Sequence, residues 1–137
     1  MEIKELIEAS IEARKSSYSP YSGYSVGAAL LCKDGSIITG ANIENASYGG
    51  TVCAERVAVF KAVNSGIKEF EAIAITGGNH NEEAADYAYP CGICRQVLRE
   101  FTNPSIFKVF VAKNPDEYEE YTLEDLLPKS FGPENLA

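Results

Sequence analysis

No stretch of this chain is long and apolar enough to span a membrane, and the opening residues, MEIKELIEASIEARKSS, lack the unbroken apolar core of an export signal. The expected location is therefore the cytoplasm, where thiols stay reduced. Four cysteines in that setting point to a metal or to catalysis before disulfides. Basic residues are in short supply: 12 Lys and Arg against 20 Asp and Glu leave a net charge of −8. That balance repels the phosphate backbone on which nucleic-acid binding depends and favours a small substrate. Histidine occurs once, as His80 in a polar stretch, which reads as solvated surface and not as a ligand. Internal repeats are absent.

What remains is a chain of 137 residues with 45% hydrophobic content, enough for one domain spanning 1–137 with a real core. Ile3, Leu6, Ile7 and Ile11 fall at helical spacing and predict an opening amphipathic helix that gives out near Ser16 and Ser17. Val26 to Cys32, a turn at Lys33-Asp34-Gly35-Ser36, and Ile37 to Ile43 read as a hairpin. Val52 to Val63 reads as a helix stopped by Gly66. Strands are expected at Glu71 to Thr76 and Ile106 to Ala112, flanking a helix that carries Cys91 to Phe101 with Pro90 in its first turn. Asn79 to Tyr87 is a polar, acidic loop, and Thr122-Leu-Glu-Asp125 looks like the capped start of a short helix closed by Pro128. The alternation of strands and helices in the second half predicts one mixed α/β sheet covered by helices, with the hairpin as its antiparallel part.

Cys91-Gly-Ile-Cys94 is a C-x-x-C pair at a helix start, a spacing that lets two thiolates reach one ion. Alone it fits a redox dithiol as well as a metal site. Cys53 shifts the balance, because it also opens a predicted helix and is followed two residues later by Glu55. Three thiolates on zinc leave one coordination position for water, which is the arrangement of a catalytic ion and not of a structural one. Cys32 follows Leu30 and Leu31 in an apolar strand and reads as a small core residue.

Three thiolates give a divalent ion a net negative environment, so something must offset it. Two helix N-termini can do so, and Arg56 and Arg95, each beside a key residue, can donate to the sulfurs. Glu55 is then placed to take a proton from the attacking water and pass it on to the substrate.

The strings Cys53-Ala-Glu55 and Pro90-Cys-Gly-Ile-Cys94 resemble the signature of the zinc-dependent cytidine deaminases, and the likeness to the short, homotetrameric type runs over nearly the whole chain. It implies a three-layer α/β/α sandwich around a mixed five-stranded sheet, and hydrolysis of cytidine and deoxycytidine to uridine and deoxyuridine with release of ammonia. It implies that Asn42 and Glu44, in Asn-Ile-Glu-Asn, hold the ribose hydroxyls. A carboxylate and an amide suit a sugar diol, and the carboxylate would repel a nucleotide's phosphate. Tyr24, where the family commonly has Phe, would pack on the pyrimidine, with Tyr21 a weaker candidate. Ala54 would also contact substrate, and Tyr48 and Phe131 would complete neighbouring subunits' sites.

Three other readings stand beside this one. A related deaminase could take a blasticidin-type nucleoside, given Gly49-Gly50 ahead of Cys53. A non-catalytic zinc module would recruit Cys32 as a fourth ligand, and a thioredoxin-like protein would use Cys91 and Cys94 without metal.

Overall fold

The computed structural model describes residues 2–136. Five strands form one sheet in the order β2-β1-β3-β4-β5: β1 is Tyr24–Cys32, β2 Ile37–Ala41, β3 Phe70–Asn79, β4 Lys108–Asn114 and β5 Glu117–Thr122. Strands β3 and β4 run parallel, and every other neighbouring pair is antiparallel. The helices are α1 (Ile3–Ala13), α2 (Ala54–Asn64), α3 (Gly92–Phe101) and the short α4 (Leu123–Leu126).

Side chains alternate across a strand, so the sheet sorts its apolar residues into two layers. Ala29, Leu31, Ala72, Ala74, Phe110 and Ala112 face α1, which buries Leu6 and Ile7 against them. On the other face Leu30, Ile73, Ile75, Val109 and Val111 meet Ala54, Ala58 and Val59 of α2 and Leu98 of α3. The result is the expected three-layer α/β/α sandwich. Double-sided burial also explains why β1 reads as a continuous apolar run instead of alternating.

Two helices lie close enough to the sheet to require glycine beneath them. A β-carbon on Gly27 would collide with the Ser10 carbonyl of α1, and one on Gly40 would sit 2.6 Å from both the Ala54 carbonyl and the Ala58 nitrogen. Gly40 thus seats the first turn of α2 directly on β2. Gly66, at φ +89°, follows α2 and turns the chain toward β3.

Several sequence expectations need correction. Strand β5 escapes the apolar pattern because its residues, EYEEYT, form a partly exposed edge that needs no hydrophobic face. Pro90 precedes the N-cap Cys91 and lies outside α3, not in its first turn. Likewise α2 starts at Ala54 with Cys53 as N-cap, so Val52 is free to form a β-bridge. Ile106 is exposed in the turn ahead of β4. The polar segment after β3 is an exposed loop as expected, pinned by a bridge between Gly77 and Asp86. The capping box at Thr122 and Asp125 is present. Among the described residues, no helix is long and apolar enough to cross a membrane.

Gly40→Ala is expected to lower stability by about 1–3 kcal/mol in urea unfolding, since backbone and not a flexible side chain occupies the space. An unchanged midpoint would contradict the close seating of α2.

Candidate metal centre and active site

Helices α2 and α3 cover the same face of the sheet, and their N-termini bring three sulfurs together. Cys53 is the N-cap of α2, Cys91 the N-cap of α3, and Cys94 the third residue of α3. Neither N-cap side chain caps its helix's backbone N–H groups, which leaves both sulfurs turned to the cluster. The three Sγ atoms lie within 4.8 Å of one another, with Cys53 to Cys91 at 3.8 Å and Cys91 to Cys94 at 3.4 Å. Tetrahedral zinc–thiolate bonds of about 2.3 Å require sulfurs about 3.8 Å apart, so the set fits that ion.

Charge is prepared on the same scale. The Cys53 thiol is pushed down to about 5, first by its hydrogen bond with Cys94 and then by Arg56 and Cys91, against the effect of burial. Cys94 moves the other way, raised by the bond to Cys53 and by burial. Arg56 Nη2 donates to Cys53 Sγ at 3.5 Å. Burial works against the Arg56 charge, yet the Cys53 and Cys94 sulfurs hold the guanidinium above its ordinary value. The positive ends of α2 and α3 act in the same sense.

Arg95 departs from its expected role. It donates to the Pro90 carbonyl and the Leu126 carbonyl, each at 2.7 Å, and so braces the entry to α3 against α4 without touching a thiolate.

The string Asn42 to Glu44 reaches the centre through the backbone. Ile43 and Val52 exchange two hydrogen bonds of 2.9 Å, so the string is clamped to the residue that precedes Cys53. Glu44 is buried and accepts from the Tyr21 and Ser22 nitrogens at 2.9 and 3.1 Å and from Ser22 Oγ at 2.5 Å, which together lower its pKa, the Ser22 hydroxyl most. Asn42 accepts from the Val26 nitrogen and donates to the Tyr24 carbonyl, both at 2.9 Å. Both side chains therefore also brace the loop that leads into β1. Tyr24 opens that strand and lays its ring over Gly77, while Tyr21 is exposed. Ala54 is fully buried at the start of α2. Tyr48 and Phe131 stand 69% and 55% exposed, uncovered aromatic surface within this chain. The tail around Phe131 is nevertheless fixed: Gln96 donates to its carbonyl at 2.9 Å, and buried Arg99 bonds Ser130 Oγ at 2.8 Å and pairs with Glu134. Sequence reasoning missed these bracing roles because they join residues far apart in the chain.

Among the described residues, the cluster able to hold an ion consists of Cys53, Cys91 and Cys94 alone. Cys32 is buried in the apolar layer with Leu30 and Phe70, its thiol pushed up by burial. Glu55, second residue of α2, is 3% exposed. Burial raises its carboxyl to about 7, with the Cys53 charge adding and a hydrogen bond with Cys94 opposing. A carboxyl poised near neutrality beside the sulfurs can both take and release a proton.

Because the folded value lies above that of the unfolded chain, the stability present below about pH 4 is partly lost as pH rises through 7. Metal-free Glu55→Gln is expected to match the parent near pH 4 and to exceed it at pH 8 by on the order of 3 kcal/mol in urea unfolding. Superimposable curves at both pH values would contradict the burial of this carboxyl.

Comparison with known proteins agrees with this geometry. Residues 1–112 match the family model described as the cytidine and deoxycytidylate deaminase zinc-binding region. The chain is 44% identical over 137 residues to a cytidine deaminase of Sporosarcina psychrophila, covering 100% of this chain and 96% of that one. It is 46% identical over 136 residues to the cytidine deaminase of Halalkalibacterium halodurans, covering 99% and 98%. The crystal structure of cytidine deaminase from Burkholderia pseudomallei superposes with a TM-score of 0.83 at 43% identity, over 93% of this chain and 97% of that one. With three sulfurs spaced for zinc, a buried carboxyl beside them and relatives that match from end to end, the chain belongs to the zinc-binding cytidine and deoxycytidylate deaminase family.

Proposed function

We propose that the chain acts as a single domain that hydrolyses the exocyclic amine of cytidine and deoxycytidine, giving uridine or deoxyuridine and ammonia. The observation that carries this reading is the three-sulfur cluster with Glu55 buried against it. Zinc held by Cys53, Cys91 and Cys94 supplies a Lewis acid and an acidified water. Glu55 moves the protons: its carboxylate takes one from the attacking water and delivers it to the ring nitrogen N3, then takes the second from the newly formed C4 hydroxyl and hands it to the amine, which departs as ammonia as the C4–N bond breaks. Arg56 and the two helix ends offset the thiolate charge that would otherwise weaken the ion's pull on water.

Asn42 and Glu44 hold the sugar hydroxyls, and the Tyr24 ring packs against the base. Support comes from the Ile43–Val52 clamp, which ties the sugar string to the Cys53 ligand, and from the charge of Glu44, which disfavours a substrate phosphate. An ordinary nucleoside is favoured over a blasticidin-type one, since the full-length relatives are cytidine deaminases. The net charge of −8 argues against nucleic acid as substrate.

The working form is a cytoplasmic homotetramer in which Tyr48 and Phe131 finish neighbouring sites. Tyr48, Phe60, Ile93 and Phe131 are each 47% or more exposed, an unusual load of large apolar side chains for a surface that stays in water.

Incubation with cytidine is expected to show loss of the aminopyrimidine ultraviolet band and release of ammonia, both abolished by a chelator that strips zinc. Glu55→Gln should keep its zinc and lose turnover by about 10²–10⁴-fold or more, whereas Cys53→Ala should lose zinc and activity together. Substantial turnover by the Glu55 variant, or full zinc in the Cys53 variant, would overturn the assigned roles.

A further inference from the structure

Of the three sulfurs, that of Cys91 has the least local support. It belongs to the exposed residue of the set, whereas Cys53 is half-buried and Cys94 buried. It sits ahead of α3 as N-cap, with no side-chain bond to the helix backbone. It also ends an irregular segment: the last backbone link before it is the bridge between Gly77 and Asp86, and among the described residues no backbone–backbone hydrogen bond holds residues 88–90. Arg95 grips the Pro90 carbonyl, but from within α3 itself. The link from this segment to the sheet must therefore run through side chains.

Strands β4 and β5 supply it. Val109 pairs with Tyr121 and Val111 with Glu119, so Glu119 and Tyr121 extend the face of the sheet that carries α2 and α3, and Lys113 follows on the same side of β4. Lys113 Nζ stands 4.8 Å from the centre of the Tyr87 ring. The Tyr87 and Tyr89 rings lie 6.3 Å apart, and Tyr89 meets Tyr121 edge-on at 6.4 Å. The Tyr89 hydroxyl donates to Glu119 Oε1 at 2.5 Å, and the Tyr121 hydroxyl donates to the same oxygen at 2.8 Å. An ionised carboxylate can only accept, so both directions are fixed. The two hydroxyls hold the Glu119 carboxyl below its ordinary value, Tyr89 first. Because Tyr121 and Glu119 share β5, the strand orients the carboxylate by itself, and Tyr89 brings the segment to it.

We propose that Glu119 is a positioning residue for the metal centre: by accepting the Tyr89 hydroxyl it pins the segment entering α3 to the edge strand, and so holds the Cys91 sulfur in place before zinc arrives. This rests on the reading of Cys91 as a zinc ligand. Only Pro90, whose ring fixes its φ, stands between Tyr89 and Cys91, so the anchor acts through one stiff residue. Cutting the anchor loosens the segment in the metal-free chain, and zinc binding must then re-order it at a cost in affinity.

Competition of the whole chain with a chelator of known zinc affinity measures that cost. Tyr89→Phe and Glu119→Ala are each expected to weaken zinc binding about three- to tenfold, and the double variant no further than the larger single effect. Glu119→Gln, which keeps an acceptor oxygen, should stay within about twofold of the parent. Urea unfolding of the metal-free chain distinguishes positioning from general fastening. A lowered midpoint with parent zinc affinity, or single losses that add in the double variant, would overturn the proposal. Cys91→Ala tells the two levels apart: if it weakens zinc binding and the Tyr89 and Glu119 variants do not, the anchor alone fails, and if it binds zinc as tightly as the parent, the ligand reading fails and the anchor's purpose with it.

Discussion

The constraint on which this structure depends is electrostatic: three cysteine sulfurs and a carboxyl must share a small volume, with Cys94 and Glu55 buried in it. Gathering them is unfavourable unless positive potential is built in. The fold meets this by aiming the N-termini of α2 and α3 at the same point and placing Arg56 against the Cys53 sulfur. Much else follows from that convergence. The helices must lie side by side on one face of the sheet, α2 must sit low enough that only glycine fits at position 40, and Arg95 must tie the start of α3 to α4.

The metal centre was legible in the sequence because its parts are local. Cys53 with Glu55, and Cys91 with Cys94, each occupy a single helix start, and ligand spacing at a helix start is a short-range property. A mixed α/β sheet covered by helices was legible for a similar reason, since apolar patterns report which elements are buried, while the three-layer order came from the family resemblance. Strand β5 was not, because an edge strand rich in Glu and Tyr buries little and carries no apolar signature. The departure of Arg95 shows the limit more sharply. Adjacency to a ligand suggested a thiolate partner, but the side chain finds two carbonyls, one of them 31 residues away.

The sugar end tells the same story in reverse. Asn42 and Glu44 stood out only through the resemblance of their string to a nucleoside-binding one. In the structure each also braces the Tyr21 to Val26 segment, Glu44 through three hydrogen bonds and Asn42 through its oxygen and nitrogen together. On the proposed reading, sugar binding and scaffolding are combined in the same side chains, which lets the loop carrying Tyr24 be held without additional residues. The acidic character of the chain is consistent with this economy, since a neutral nucleoside needs hydrogen bonds and a ring to pack on, not a basic field.

The central claim is that zinc here has three protein sulfurs and keeps its fourth position for water beside Glu55. X-ray absorption at the zinc edge on the purified chain counts those atoms directly. Three sulfurs at about 2.3 Å with one lighter atom completing the set is the expected result; a shell of four sulfurs would contradict the account.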